Sequence, residues 1–500
     1  MQTTNSSSFE ALLYSGQFVL GPSVANCFGT PKIVKIDESL ILTAHTELNT
    51  AQAFDDKKSL TLIGFIIDPN NPEASDLDIL NRLLSNCSNA KSLIESTSRY
   101  GGRWILIATN GKKKYLFNDA LGLRQVFYSN PKSTESLWAM SQPGLGADLL
   151  CLTIDDMALE YMDSYEFRSN PEYRWPGFAT PYKEIKHLLP NHYLDLITGT
   201  CHRYWPDKAL ERITHDEAIN EISSLLQNSM KGIALRFDSA VGITAGLDSR
   251  LVLAASKEIC NKLSFITVRQ CRMSDDNHDI VVPARLLPRL SLQHHIIKSS
   301  AIMTPDFSRV FKKNVFLAHD IYGSDAEAIY SFFPQRKVAV TGSGAEVGRC
   351  SFRKQLSESQ RQNITPEDLS RLQKMGKNDF VINNFTNWLN SIEKKYNLNI
   401  LDLFEWEQGH GNWLAMTQLE FNIAWRDIFT PFNCRNILTT MLSVDEKYRK
   451  DPDYSLFKNL ILKLWPETLC EPINPDGRKK RSKHFRYIKN ILSLVKRLIA

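Results

Sequence analysis

Five hundred residues exceed what a single hydrophobic core accommodates, so the chain is expected to fold as two or three domains. With 43% hydrophobic and 23% charged residues it has the make-up of a globular protein, and no apolar run reaches the ~18 residues a membrane span needs. The net charge of +5 is uneven: nine Lys/Arg and no acid follow Gly477, and removing them leaves the body at −4, so the body offers no electrostatic case for nucleic acid.

The N-terminus, MQTTNSSSFE, lacks a basic segment followed by an apolar one and does not read as a signal peptide. Nine scattered cysteines form no CxxC pair, which is expected of free thiols in a cytoplasmic protein without a zinc site. Short apolar runs bounded by turn residues then recur: SLILTAH, SLTLIGFII, RWILIATN, KKYLFND and QVFYS. Between them Leu77, Ile79, Leu80, Leu83 and Leu84 share one face of a helix near Asp76–Cys87. HLLPNHYLDLITGTCHRYWPD reads as a hairpin. Beyond Pro206 the texture changes to THDEAINEISSLLQNSMKGIAL, an amphipathic helix with Thr214 and Glu217 spaced as a capping box. Strands and helices alternate from there, with strands at 239–244, LSFITVR, HHIIKS and KVAVTGS, before a mostly helical remainder. Such alternation predicts a parallel sheet covered by helices. His294-His295 has no third ligand at a metal-like spacing and reads as an edge strand. In the tail, Phe485, Ile488, Ile491, Leu492, Val495, Leu498 and Ile499 recur at three and four, which makes residues 478–500 a basic amphipathic helix suited to an anionic membrane surface or an acidic partner.

The segment ITAGLDSRLVLAA joins a strand to a helix through Thr244, Ala245, Gly246, Leu247, Asp248 and Ser249. A small-residue turn at a helix N-terminus presents backbone N–H groups and the positive end of the helix dipole, which suit a phosphate. Asp248 would repel a phosphate directly but suits Mg²⁺ bridging to one. The same residues also make an ordinary capped βα turn, and the Walker pattern is absent.

This segment resembles the pyrophosphate loop (S-G-G-x-D-S) of the N-type ATP pyrophosphatases, and more narrowly that of the asparagine synthetase family. Four further segments follow that family's order: YGGRWILIATNGKKKYLFNDALGLRQVFYS, LLPNHYLDLITGTCHRYWPD, VAVTGSGAEVGR and TPFNCRNILTTMLSV. The resemblance covers about residues 60–470 and implies an α/β chain in three parts. Residues 1–206 would form an Ntn-type, class II glutaminase-like β-sandwich of the α+β kind. Residues 207–475 would form a PP-loop parallel sheet with a helical C-terminal part, and 476–500 the basic tail. It further implies that ATP and Mg²⁺ bind, that a substrate carboxylate is adenylated with release of pyrophosphate, and that ammonia or another amine then displaces AMP. By position, Thr244, Ala245, Gly246, Leu247, Asp248 and Ser249 would hold pyrophosphate, Val268 the adenine through its backbone, and Thr341, Gly342 and Gly344 the second loop. Asp248 and Glu346 would face the metal and, with Asp427 and Arg426, carry the chemistry. Several positions depart from the family. Gln2 stands where its glutaminase has a nucleophilic cysteine, and Cys27 is internal, so glutamine hydrolysis is expected to be lost. Ser343 and Val347 replace acids of the second loop. No lysine lies between Leu401 and Arg435, leaving Arg426 and His410 as the cations, with His410 read as part of a flexible Gly409–Asn412 loop. Relatives without the cysteine include peptide macrolactam cyclases, so a peptide amine is one expected acceptor. A non-catalytic nucleotide-binding or scaffold protein is the competing expectation.

Overall fold

The computed structural model describes residues 7–475 apart from 86–88, 112 and 130, so the expected tail helix and Gln2 lie outside the described residues. Twelve strands occupy the first half: β1 (Phe18–Gly21), β2 (Pro31–Asp37), β3 (Leu40–His45), β4 (Thr50–Phe54), β5 (Lys58–Ile67), β6 (Gly101–Asn110), β7 (Lys113–Asn118), β8 (Phe127–Ser129), β9 (Ala139–Met140), β10 (Ile185–His187), β11 (His192–Asp195) and β12 (Cys201–Arg203). They form two six-stranded sheets, ordered β10-β8-β9-β1-β3-β2 and β12-β11-β7-β6-β5-β4, with neighbouring strands antiparallel.

Period-two alternation explains the layering. Along β6, Ile105 and Ile107 face inward to a core shared with Phe18, Leu20 and Leu42 of the opposite sheet. Trp104, Leu106 and Ala108, one residue out of step, meet Ile79, Leu80, Leu83 and Leu93 on the helices Asp76–Ser85 and Ala90–Thr97. A helix layer therefore covers a sandwich of two sheets.

The second half opens on the helix His215–Arg236, capped as its sequence predicts: Thr214 accepts from the Glu217 N–H while Glu217 returns a bond to the Thr214 backbone. Five parallel strands follow: β13 (Ser239–Gly242), β14 (Leu263–Arg269), β15 (His294–Lys298), β16 (Val338–Val340) and β17 (Asp427–Phe429), in the order β15-β14-β13-β16-β17. The chain is thus mixed α/β, with two antiparallel sheets and one parallel sheet. The order reverses between β13 and β16, where a parallel sheet leaves a crevice at its carboxyl edge. His294 and His295 lie on the edge strand, and His294 Nε2 bonds Thr267 Oγ1 at 2.8 Å.

The halves share apolar and polar contacts. Phe65 of β5 lies 5.1 Å from Phe237 and 6.1 Å from Phe429, ring to ring. Glu407, fully buried, accepts from both guanidinium nitrogens of Arg203, from Trp388 and from Asn191. Four donors around one carboxylate are what keep a buried charge tolerable.

Candidate functional site

β13 ends at Gly242 and the helix Leu247–Ala255 begins after Gly246, which has no side chain to cap it. The N–H groups of Leu247, Asp248 and Ser249 find no acceptor among the described residues. The loop before them is tied to itself: Ser249 Oγ accepts from the Thr244 N–H at 3.2 Å, and Thr244 Oγ1 from the Gly246 N–H at 3.0 Å. Two further contacts come from outside. Asp279 Oδ1 accepts from the Ala245 N–H at 3.0 Å, and the Asn474 N–H donates to the Ala245 carbonyl at 2.9 Å. Arg250, fully buried, donates to the carbonyls of Thr468, Glu471 and Pro472, so it straps the 468–472 segment beside the loop.

The second loop leaves β16 alongside. A Cβ on Gly342 would stand 2.6 Å from the backbone carbon of Asp248 and 2.8 Å from its carbonyl oxygen, so only glycine allows this approach. Thr341 Oγ1 and Asp248 Oδ1 are both buried without a hydrogen-bond partner. Gly344 takes φ 103° and gives its N–H to Glu346 at 3.0 Å.

Around Asp248 five ionisable side chains form a chain of contacts. Arg349 reaches Asp248 at 3.1 Å and Glu346 at 3.2 Å, and His410 Nε2 lies 3.2 Å from Glu346. His410 Nδ1 bonds the Glu405 carbonyl at 3.0 Å and stands 3.7 Å from the Glu405 carboxylate. Burial, reinforced by Glu346, pushes the Asp248 carboxyl well above the usual carboxylate range. Burial acts on Glu346 in the same sense, but the bond from His410 and the charges of His410 and Arg349 override it and hold Glu346 low. His410 is buried, which disfavours its cation, yet Glu346 and Glu405 raise it above its ordinary value. Two cationic side chains, Arg349 and His410, are thus threaded between the carboxyl groups of Asp248, Glu346 and Glu405.

The expected residues separate accordingly. Thr244, Ala245, Gly246, Leu247, Asp248, Ser249, Thr341, Gly342, Gly344 and Glu346 stand together at the carboxyl edge, and Val268 is near the carboxyl end of β14. Arg426 and Asp427 do not join them. β17 starts at Asp427 and runs parallel to β16, so both residues occupy the opposite, amino edge of the sheet. Asp427 pairs there with Arg103 at 3.0 Å and with Arg124, while Arg426 is exposed, its guanidinium 6.0 Å from the Phe237 ring. The flexible loop expected at Gly409–Asn412 is corrected too. Glu405–Leu414 is a wide helical turn, and His410 is only 4% exposed.

Arg349, Glu405 and Asn474 belong to the site without having been singled out. Arg349 follows Glu346 by three residues in VAVTGSGAEVGR, a spacing that one turn of helix brings together. Asp279, in the first turn of the helix His278–Arg289, reaches the same loop through the Ala245 N–H. A cleft of about 520 Å³ opens next to Glu405, between the 166–174 segment on one side and Phe352, Leu372 and Trp413 on the other. Cys27 is half-buried, and burial pushes its thiol up to about 11, which keeps it a protonated, poor nucleophile.

No family model and no curated protein matches the chain. Solved structures similar to it include two enzymes. One, the allosteric regulatory enzyme of purine biosynthesis, is 10% identical with a TM-score of 0.25, over 62% of this chain and 75% of its own. The other, glutamine phosphoribosylpyrophosphate amidotransferase from B. subtilis with ADP and GMP, is 11% identical with a TM-score of 0.23, over 69% and 72%. Superpositions this loose carry no argument about site or activity. Among the described residues no helix is long and apolar enough to cross a membrane.

Proposed function

We propose that the chain is an ATP-dependent amide-forming ligase of the asparagine synthetase type, organised as residues 1–206 and 207–475, whose first part no longer hydrolyses glutamine. One observation carries the reading. An uncapped helix N-terminus, with three N–H groups and a buried Asp248 Oδ1 that find no hydrogen-bond partner among the described residues, stands where the parallel sheet reverses its order.

In this reading a triphosphate lies on the N–H groups of Leu247, Asp248 and Ser249. A substrate carboxylate oxygen attacks the α-phosphorus, and the P–O bond to pyrophosphate breaks with its electron pair leaving on pyrophosphate. Arg349, beside Asp248, offsets that charge. An amine nitrogen next attacks the acyl carbon and loses a proton while the C–O bond to AMP breaks. Among the described residues no group of three or more His, Cys, Asp or Glu forms a metal cage. Asp248 Oδ1 would fit Mg²⁺ arriving with the triphosphate, whose charge would favour the ionised carboxylate that burial and Glu346 disfavour; that ion typically takes one or two carboxylates plus phosphate oxygens. Such an ion would supply Lewis-acid polarisation of the phosphates.

The test is ATP–pyrophosphate exchange with pools of amino acids and peptides as carboxylate donors. One pool is expected to support exchange, and Asp248→Ala to reduce it by about 100-fold or more. A second reading, nucleotide binding without catalysis, is favoured by Asp279 on the Ala245 N–H and by Arg349 bridging both carboxylates. It would prevail if ATP binds and no pool supports exchange.

A further inference from the structure

We infer that the cleft beside Glu405 binds the primary ammonium group of an organic acceptor, held by the Glu405 carboxylate. The assignment of that ligand as the acceptor rests on the ligase reading above; the binding itself does not.

Size comes first. About 520 Å³ is far more than ammonia requires, since a water molecule occupies only ~30 Å³ of liquid. The half-buried charged groups lining the cleft are otherwise satisfied. Glu172 accepts from Tyr322 at 2.9 Å and Trp413 at 2.6 Å, and Arg174 bonds Gln373 at 2.5 Å while lying 4.4 Å over the Trp413 ring. The Glu405 carboxylate accepts no hydrogen bond from any described residue, and His410 at 3.7 Å is too far to give one. Its side chain is 14% exposed, so it is largely withdrawn from bulk water while still open to the cleft. Gly409 makes room for it: a Cβ there would sit 2.7 Å from Glu405 Oε1. His410, Arg174 and Arg349 lie close enough to act on this carboxylate by charge, but none gives it a hydrogen bond, and that direct contact is what an ammonium in the cleft supplies. Phe352, Leu372 and Trp413 along the same cleft suit the methylene stem behind such a group. The location suits an acceptor as well, because His410, Glu346 and Arg349 connect Glu405 to Asp248 through successive contacts.

The experiment is calorimetry on the full chain with cadaverine and no ATP, with ammonium chloride and glutarate as comparison probes. Saturable cadaverine binding is expected. It should weaken ~10-fold in Glu405→Gln, the loss of one charge-assisted hydrogen bond, and be largely kept in Glu405→Asp and in the remote surface variant Glu38→Gln. Equal binding by Glu405→Gln and wild type, absence of saturable binding, or preference for glutarate would overturn the inference. Should Glu405→Gln not fold, carbodiimide activation of the wild type with cadaverine decides: peptide mapping is expected to find Glu405 amidated ahead of exposed Glu38, and the reverse order refutes it. Because ATP is absent throughout, failure of pyrophosphate exchange and failure of amine binding are separate results.

Discussion

Asp279 carries the sharpest prediction about the loop. Its carboxylate already holds the Ala245 N–H at 3.0 Å, so a triphosphate on the adjoining helix N-terminus would meet a negative charge next door. Taking ~6 Å, about two hydrogen-bond lengths, between the two charges, Coulomb's law gives about 0.7 kcal/mol per unit charge in bulk water and about 3 kcal/mol at the effective dielectric of a protein surface. Screening by salt trims the upper figure, which leaves ~1–2 kcal/mol. Asp279→Asn keeps the acceptor oxygen and removes the charge. It is expected to tighten ATP binding about 5- to 30-fold at low ionic strength, with the gain shrinking as salt rises. Folding stability should drop by roughly 1 kcal/mol, because a charge-assisted bond becomes a neutral one. Titration calorimetry at several salt concentrations reads both the affinity and its salt slope. An unchanged or weaker affinity in a folded Asp279→Asn variant would refute the reasoning and make Asp279 a brace of the binding-competent loop.

Other predictions test the frame around the site. Arg203→Met strips the bidentate partner from Glu407 and should destabilise the fold by ~3–5 kcal/mol in denaturant melts. Asp427→Asn should likewise lower stability, by breaking its pairs with Arg103 and Arg124, yet leave ATP affinity unchanged, because it sits on the far edge of the sheet. Burial holds His187 near pKa 3 and His192 near 4, so below pH 6.5 the unfolded chain takes up protons the native state refuses. Stability then falls with acid from about pH 6 to 4, these two contributing a slope near 2.7 kcal/mol per unit, and His187→Phe should remove about half of it. Glutamine added to the protein should yield no glutamate above background, and Cys27→Ser should change nothing.

The strand–helix alternation of the second half was readable because its apolar spacing is local and strong: Thr214 caps where its sequence says, and LSFITVR and HHIIKS pair as parallel neighbours. Asp248 and Glu346 stand out from two separate loops in the sequence, and both contact Arg349. What escaped depends on distant partners or weak local signals. Two glycines around His410 read as a loop because glycine is a poor helix former, yet burial of Trp406, Glu407 and Gln408 holds that segment helical. The bond from His410 to Glu346 spans 64 positions, and nothing in either neighbourhood announces it. β17 is only three residues long, too short for a periodic signal, so nothing showed that Asp427 begins a strand and thereby faces away from the site.

The strap held by Arg250 and Asn474 has a geometric consequence. Asn474 is one hydrogen bond from Ala245, and the Arg250 guanidinium is held by the carbonyls of Thr468, Glu471 and Pro472. One short segment thus touches both the loop and the helix behind it, and it cannot lift off the loop without leaving a buried guanidinium unpaired. Loop and strap therefore open together or not at all.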